Sequence, residues 1–214
     1  MTGTIMAFGD SLTWGMDPRD GTRHAYADRW PSVLEAGLGA GHRVIAEGLN
    51  GRTTAFDDPA APCERNGAKT LPMLLASHAP LDLVIIMLGT NDLKAYISPT
   101  IDGPVAGMAR LIQIVRHFPY SPPGAVPQIL VLAPPHCAAP DSGADPAGGR
   151  NLAETRKFGA RYAALAREQG CAFLDAAGVA QPSGVDGVHL DAANTRAIGT
   201  ALIAPVRAIL AASG

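Results

Sequence analysis

Four separated stretches of this 214-residue sequence carry residue types that together can run nucleophilic acyl transfer. Ser11, inside Phe8-Gly9-Asp10-Ser11-Leu12-Thr13-Trp14-Gly15, offers a hydroxyl, and His189 offers an imidazole able to take its proton. Asp186 stands three residues before His189, close enough to accept from the other ring nitrogen through a turn. Such a contact fixes the tautomer and favours the imidazolium as it forms. Donors for an oxyanion can come from the backbone of Ser11, the backbone of Gly51 and the side-chain amide of Asn91. Each stretch also has a plainer reading. Asp10-Ser11 can be a helix cap. Asn50-Gly51 and Gly89-Thr90-Asn91-Asp92 can be turns. Asp186-Gly187-Val188-His189 can be a loop with its histidine exposed. Asp10 and Asp92 read as buttresses of their turns.

The elements that must position these residues alternate regularly. Thr4 to Phe8 reads as a short apolar strand ended by Gly9, so Ser11 falls just past its C-terminal end. Trp30, Val33, Leu34 and Leu38 recur at helical spacing, ended by Gly39 and Gly41. Val44 to Ala46 suggests a second strand whose closing loop holds Gly51, and Leu71, Leu74 and Leu75 suggest a short helix. Leu81 to Leu88 is nearly all apolar and rich in β-branched residues, as in a central parallel strand buried on both faces. Its closing loop holds Asn91. Residues Ile101 to Phe118 form an amphipathic helix, and Gln128 to Ala133 a fourth strand stopped by Pro134-Pro135.

His136 to Gly149 lacks periodicity and is long enough for a lid or contact segment. Leu152 to Gln169 reads as one long helix, Cys171 to Asp175 as a fifth strand, and Ala192 to Leu210 as a last helix with Asp191 as N-cap. Five strand–helix alternations predict a single three-layer α/β/α domain over 1–214, built on a five-stranded parallel sheet. All the chemistry-bearing loops then share one rim.

Composition narrows the function classes. Hydrophobic residues at 47% fit a folded globular chain and not disorder, while charged residues at 17% point to covered surface, which a subunit interface or a codon bias would each explain. A net charge of −2 gives no basic excess for nucleic acid. The odd set Cys63, Cys137 and Cys171 has no disulfide or zinc spacing. No basic leader or membrane-length unbroken apolar run is present, so a cytoplasmic location without membrane attachment is expected.

The ordered series Gly9-Asp10-Ser11-Leu12, Asn50-Gly51, Gly89-Thr90-Asn91-Asp92 and Asp186-Gly187-Val188-His189 resembles the four blocks of the SGNH (GDSL) hydrolases, and it spans nearly the whole chain. The resemblance implies a flavodoxin-like sheet with Ser11 as nucleophile, Asp186 and His189 as its partners, and Gly51 with Asn91 in the oxyanion hole. Ser11 to Gly15, Glu47 to Thr54 and Val84 to Asp92 look like the bacterial arylesterase and acyltransferase branch. That branch implies short acyl esters as substrates, acyl transfer to alcohols or peroxide, and homo-oligomers such as octamers.

The expectation is therefore a serine carboxylester hydrolase working through an acyl-enzyme on a small-molecule ester, with no metal or organic cofactor. Trp14 is a candidate cleft wall, and Leu12 beside the nucleophile is a second substrate-binding candidate. A carbohydrate acetylesterase, a thioesterase or lysophospholipase, and a non-catalytic binding module are the alternatives.

Overall fold

The computed structural model describes residues 3–123 and 125–212. Five strands, β1 (Gly3–Gly9), β2 (His42–Gly48), β3 (Leu83–Met87), β4 (Gln128–Ala133) and β5 (Ala172–Asp175), form one sheet in the order β2-β1-β3-β4-β5. Every pairing is parallel. The C-terminal ends therefore share one edge, and β1 and β3 flank the point where the strand order reverses. In doubly wound sheets that crevice is where ligands bind.

The apolar pattern explains the layers. Along β1 and β3, Met6, Phe8, Val84 and Ile86 face one side and Ile5, Ala7, Leu83 and Ile85 face the other, each set buried. The first face is covered by α3 (Gly67–His78), α4 (Asp102–His117) and α6 (Phe158–Glu168), through Leu71, Leu75, Leu111, Ile112 and Phe158. The second is covered by α2 (Trp30–Leu38) and α7 (Ala192–Ala212), through Trp30, Leu34, Ile198 and Leu202. Burying each such side chain contributes about 1.5–3 kcal/mol, so β3, buried at all five positions, anchors the sheet. By length and composition α7 could cross a membrane. In this fold its Ile198, Leu202, Val206 and Leu210 are buried on the sheet beside α2. Asp191 caps it, accepting from the Asn194 amide at 2.8 Å.

The helix expected over Leu152 to Gln169 is two pieces, α5 (Leu152–Thr155) and α6. The first turn is diverted by Thr155, whose hydroxyl donates back to the Leu152 carbonyl at 2.9 Å and accepts the Cys137 amide at 3.1 Å. That second bond ties α5 to the irregular segment after β4 and not to the helix that follows.

Candidate active site

Ser11 opens a four-residue helix, α1 (Ser11–Trp14), directly after β1. Asp10 caps it, its Oδ1 accepting the Leu12 amide at 2.9 Å. The Ser11 amide thus lies in a first helical turn, where backbone N–H groups have no intrahelical acceptor. His189 arrives from the loop after β5. Its Nε2 stands 2.9 Å from Ser11 Oγ, and its Nδ1 stands 2.5 Å from Asp186 Oδ2.

Burial works against the Asp186 charge, but the His189 ring and the amides of Val188 and His189 outweigh it and hold the carboxyl below its usual range. An ionised carboxylate only accepts. Nδ1 therefore carries the proton, and Nε2 is left to accept from the Ser11 hydroxyl. The three side chains form one hydrogen-bonded line, with Ser11 only 5% exposed.

The other two loops reach the same edge. The Gly51 loop is pinned to the end of β1: Leu49 N and Arg52 Nη1 both donate to the Gly9 carbonyl, at 3.1 and 2.8 Å. Arg52 also donates to the Glu47 carbonyl and lies over the Phe8 ring. Gly51 itself has φ +82°, the left-handed region that favours glycine. Asn91 Nδ2 donates to Asp10 Oδ2 and to the Arg52 carbonyl, each at 3.1 Å. The amide therefore bridges the Ser11 turn and the Gly51 loop. Asp92 lies behind it, accepting from the Thr54 amide at 3.0 Å and from the Thr54 hydroxyl.

Both buried carboxyls hold protons more tightly than usual. Burial raises Asp10 to about 6, against the Leu12 amide and the charges of His189, Arg150 and Arg52. It raises Asp92 to about 7, against the Thr54 hydrogen bonds. Burial likewise pushes the Cys137 thiol up to about 11, which leaves it a poor competing nucleophile.

Two expectations about the cleft part company. Leu12 is 4% exposed and belongs to the core cluster with Trp30 and Leu34. The one-turn helix packs it against that core, on the α2 and α7 side of the sheet. Trp14 is half-buried, with the Arg23 guanidinium 5.0 Å above its ring and Arg23 Nε donating to its carbonyl at 2.6 Å. His24, buried behind this edge, props the histidine loop by donating to the Leu190 carbonyl at 2.9 Å.

The residues sequence reading missed belong to the segment between β4 and α5. It is a strap across the loop bearing the candidate acid and base. Ala138 N donates to the Gly187 carbonyl at 2.9 Å, Asp141 N to Gly184 at 2.8 Å, and Ala147 N to Asp186 at 3.3 Å. Gly187 has φ +70°, and a Cβ there would stand 2.0 Å from the Ala138 carbonyl oxygen. Glycine inside the Asp-Gly-Val-His block is thus what lets the strap pass.

Residues 7–197 match the model of the GDSL-like Lipase/Acylhydrolase family. A structure described as "a putative arylesterase from Agrobacterium tumefaciens str. C58" is 54% identical, with a TM-score of 0.94 over 98% of this chain and 100% of that one. A carbohydrate acetylesterase family member from Sinorhizobium meliloti is 46% identical, with a TM-score of 0.94 over 99% and 100%. The native M. smegmatis aryl esterase is 42% identical, with a TM-score of 0.87 over 97% and 100%. Among curated proteins no sequence relative matches. With most of its length matched, the chain belongs to the GDSL-like lipase/acylhydrolase family, and it is a serine ester hydrolase.

Proposed function

We propose that Ser11, His189 and Asp186 carry out this hydrolysis on short-chain acyl esters through an acyl-enzyme. The observation that carries the reading is the continuous line from Ser11 Oγ through both His189 nitrogens to Asp186. Ser11 Oγ attacks the ester carbonyl as His189 Nε2 takes its proton, a transfer that 2.9 Å allows. The tetrahedral oxyanion is held by the amides of Ser11 and Gly51 and by Asn91 Nδ2, which turns one of its two hydrogens to the oxyanion in exchange for one of its resting acceptors, Asp10 Oδ2 and the Arg52 carbonyl. Its collapse breaks the bond to the alkoxy oxygen, which leaves with the proton from His189. Water, delivered through the same imidazole, then attacks the acyl-Ser11 carbonyl and releases the acid. An alcohol or peroxide in place of water gives acyl transfer.

A nucleophile only 5% exposed admits a carbonyl through a narrow opening, which favours acetyl over long acyl chains. Trp14, beside that opening, is proposed as its wall. The chain is proposed to work as one domain and as a homo-oligomer. The low share of charged residues supports an assembly. Three free cysteines are consistent with a reducing, cytoplasmic setting.

The 46% identical relative named as a carbohydrate acetylesterase family member supports a second reading, in which the alcohol half of the ester is a sugar. The test is turnover of p-nitrophenyl acetate, butyrate and octanoate by wild type and a folded Ser11→Ala variant, with an acetylated sugar as competitor. Loss of turnover in the variant and preference for acetate are expected. Octanoate preference would overturn the short-acyl reading, and competition by the sugar would favour the second.

A further inference from the structure

A carboxamide is nearly symmetric in shape, so a hole built on Asn91 works only if something keeps its NH2 end, and not its oxygen, toward the nucleophile turn. Arg150 meets that need. Its Nη2 donates to Asn91 Oδ1 at 2.7 Å, while Asn91 Nδ2 faces only acceptors, Asp10 Oδ2 and the Arg52 carbonyl. A guanidinium has donors and no acceptor. Flipping the amide would therefore put donor against donor at Arg150 and acceptor against acceptor at the other two contacts. Asn91 is 4% exposed and Arg150 7%, so water cannot readily repair the mismatch. The guanidinium is itself fixed: Nε donates to the Thr90 carbonyl at 2.7 Å and Nη1 to the Ala147 carbonyl. One rigid fork thus grips both the backbone and the side chain of the Asn91 loop. Lysine, with a single nitrogen, cannot reproduce that pair of directions.

We propose that Arg150 is a positioning residue for the oxyanion hole, locking the Asn91 amide with its NH2 toward Ser11. The inference rests on the reading of Asn91 as an oxyanion donor. Arg150 ends the strap that also hydrogen-bonds the loop of Asp186 and Gly187, so one segment braces both the oxyanion hole and the acid–base loop. Arg150 does not touch the reacting atoms; it acts through Asn91.

That mode of action predicts a thermodynamic signature in a double-mutant cycle. kcat and KM on p-nitrophenyl acetate are to be measured for Asn91→Ala, Arg150→Met and the double variant, each checked for a cooperative melt. Asn91→Ala should lower kcat by roughly 10²–10³-fold, as loss of one oxyanion donor does. Arg150→Met should lower kcat by about 10-fold or more with KM nearly unchanged, and the double variant should be no slower than Asn91→Ala. Arg150→Lys should show a smaller loss that also disappears in the Asn91→Ala background, and it carries the test if Arg150→Met does not fold.

Losses that multiply in the double variant would overturn the proposal, since Arg150 would then be acting as general scaffolding. So would a wild-type kcat in both Arg150 variants. Wild-type kcat in Asn91→Ala alone would instead sink the oxyanion reading, a result distinct from either.

Discussion

Gly48→Ala, 37 residues from Ser11 in sequence, should disable the enzyme, and the size of the effect can be worked from distances. Gly48 closes β2 opposite Gly9, which closes β1. A Cβ on Gly48 would lie 2.2 Å from Trp14 N, 2.6 Å from Trp14 Cα and 2.7 Å from Thr13 C. These are backbone atoms of α1, and no rotamer change can move them away. Ordinary contact begins near 3.4 Å, so α1 and the end of β2 must separate by about 1 Å. Helix α1 is a single turn, closed by Trp14 N to the Asp10 carbonyl and Gly15 N to the Ser11 carbonyl, each 2.9 Å. It moves as a unit with Ser11.

His189 comes from the other side of the cleft and does not follow, so its 2.9 Å contact with Ser11 opens. Misplacement by 1 Å costs about 10²-fold in rate, and overpacking costs about 1–3 kcal/mol. For a chain of this size that is a fall in Tm of roughly 2–12 °C. Turnover of p-nitrophenyl acetate below the lowered Tm, with a thermal melt, checks both numbers. Gly178→Ala, where a Cβ meets nothing within 4 Å, is the control expected to be silent. A Gly48→Ala enzyme with wild-type kcat and Tm would refute the claim that α1 positions the nucleophile by direct packing on β2.

Asp186→Asn should present an amide donor to His189, turn the tautomer so that Nε2 points a hydrogen at Ser11, and lower kcat by about 10⁴-fold; a loss under tenfold on p-nitrophenyl acetate would contradict the assigned tautomer. Gly187→Ala should detach the strap, since its Cβ would strike the Ala138 carbonyl at 2.0 Å; both Tm and kcat should fall, and an unchanged Tm would be the contrary result. Asp10 and Asp92, at about 6 and about 7 against an ordinary 3.8, bind protons in the folded state that the unfolded chain releases. Between about pH 4 and 7 the folded state thus holds the more protons, and stability falls as pH rises through this window. Asp92→Asn should flatten that slope in urea melts taken at several pH values, and an undiminished slope would show that Asp92 is not its source.

The skeleton of the site was legible because it is local. β1 and β3 announce themselves by apolar runs, and each ends in a short polar block whose position past the strand already places it on the C-terminal edge. Asp186 and His189 are three residues apart, so their contact follows from one turn. The core packing of Leu12 was not legible, because an apolar residue beside a serine turn has no sequence mark saying how a one-turn helix will bury it. The break at Thr155 was hidden for a related reason: its cause is the Cys137 amide, a partner outside the helix. Arg150 lay furthest from view. It meets Asn91 across 59 residues of chain, from a segment with no periodicity, and nothing in the local sequence couples the two.

The central claim, that acyl transfer passes through Ser11, is tested most directly by acid-quenching the enzyme during its first turnover of p-nitrophenyl acetate and mapping the peptides by mass. A single acetyl group on the peptide bearing Ser11, formed together with a burst of p-nitrophenol, is the expected result. Turnover with no covalent adduct, or an acetyl group on any other residue, would contradict it.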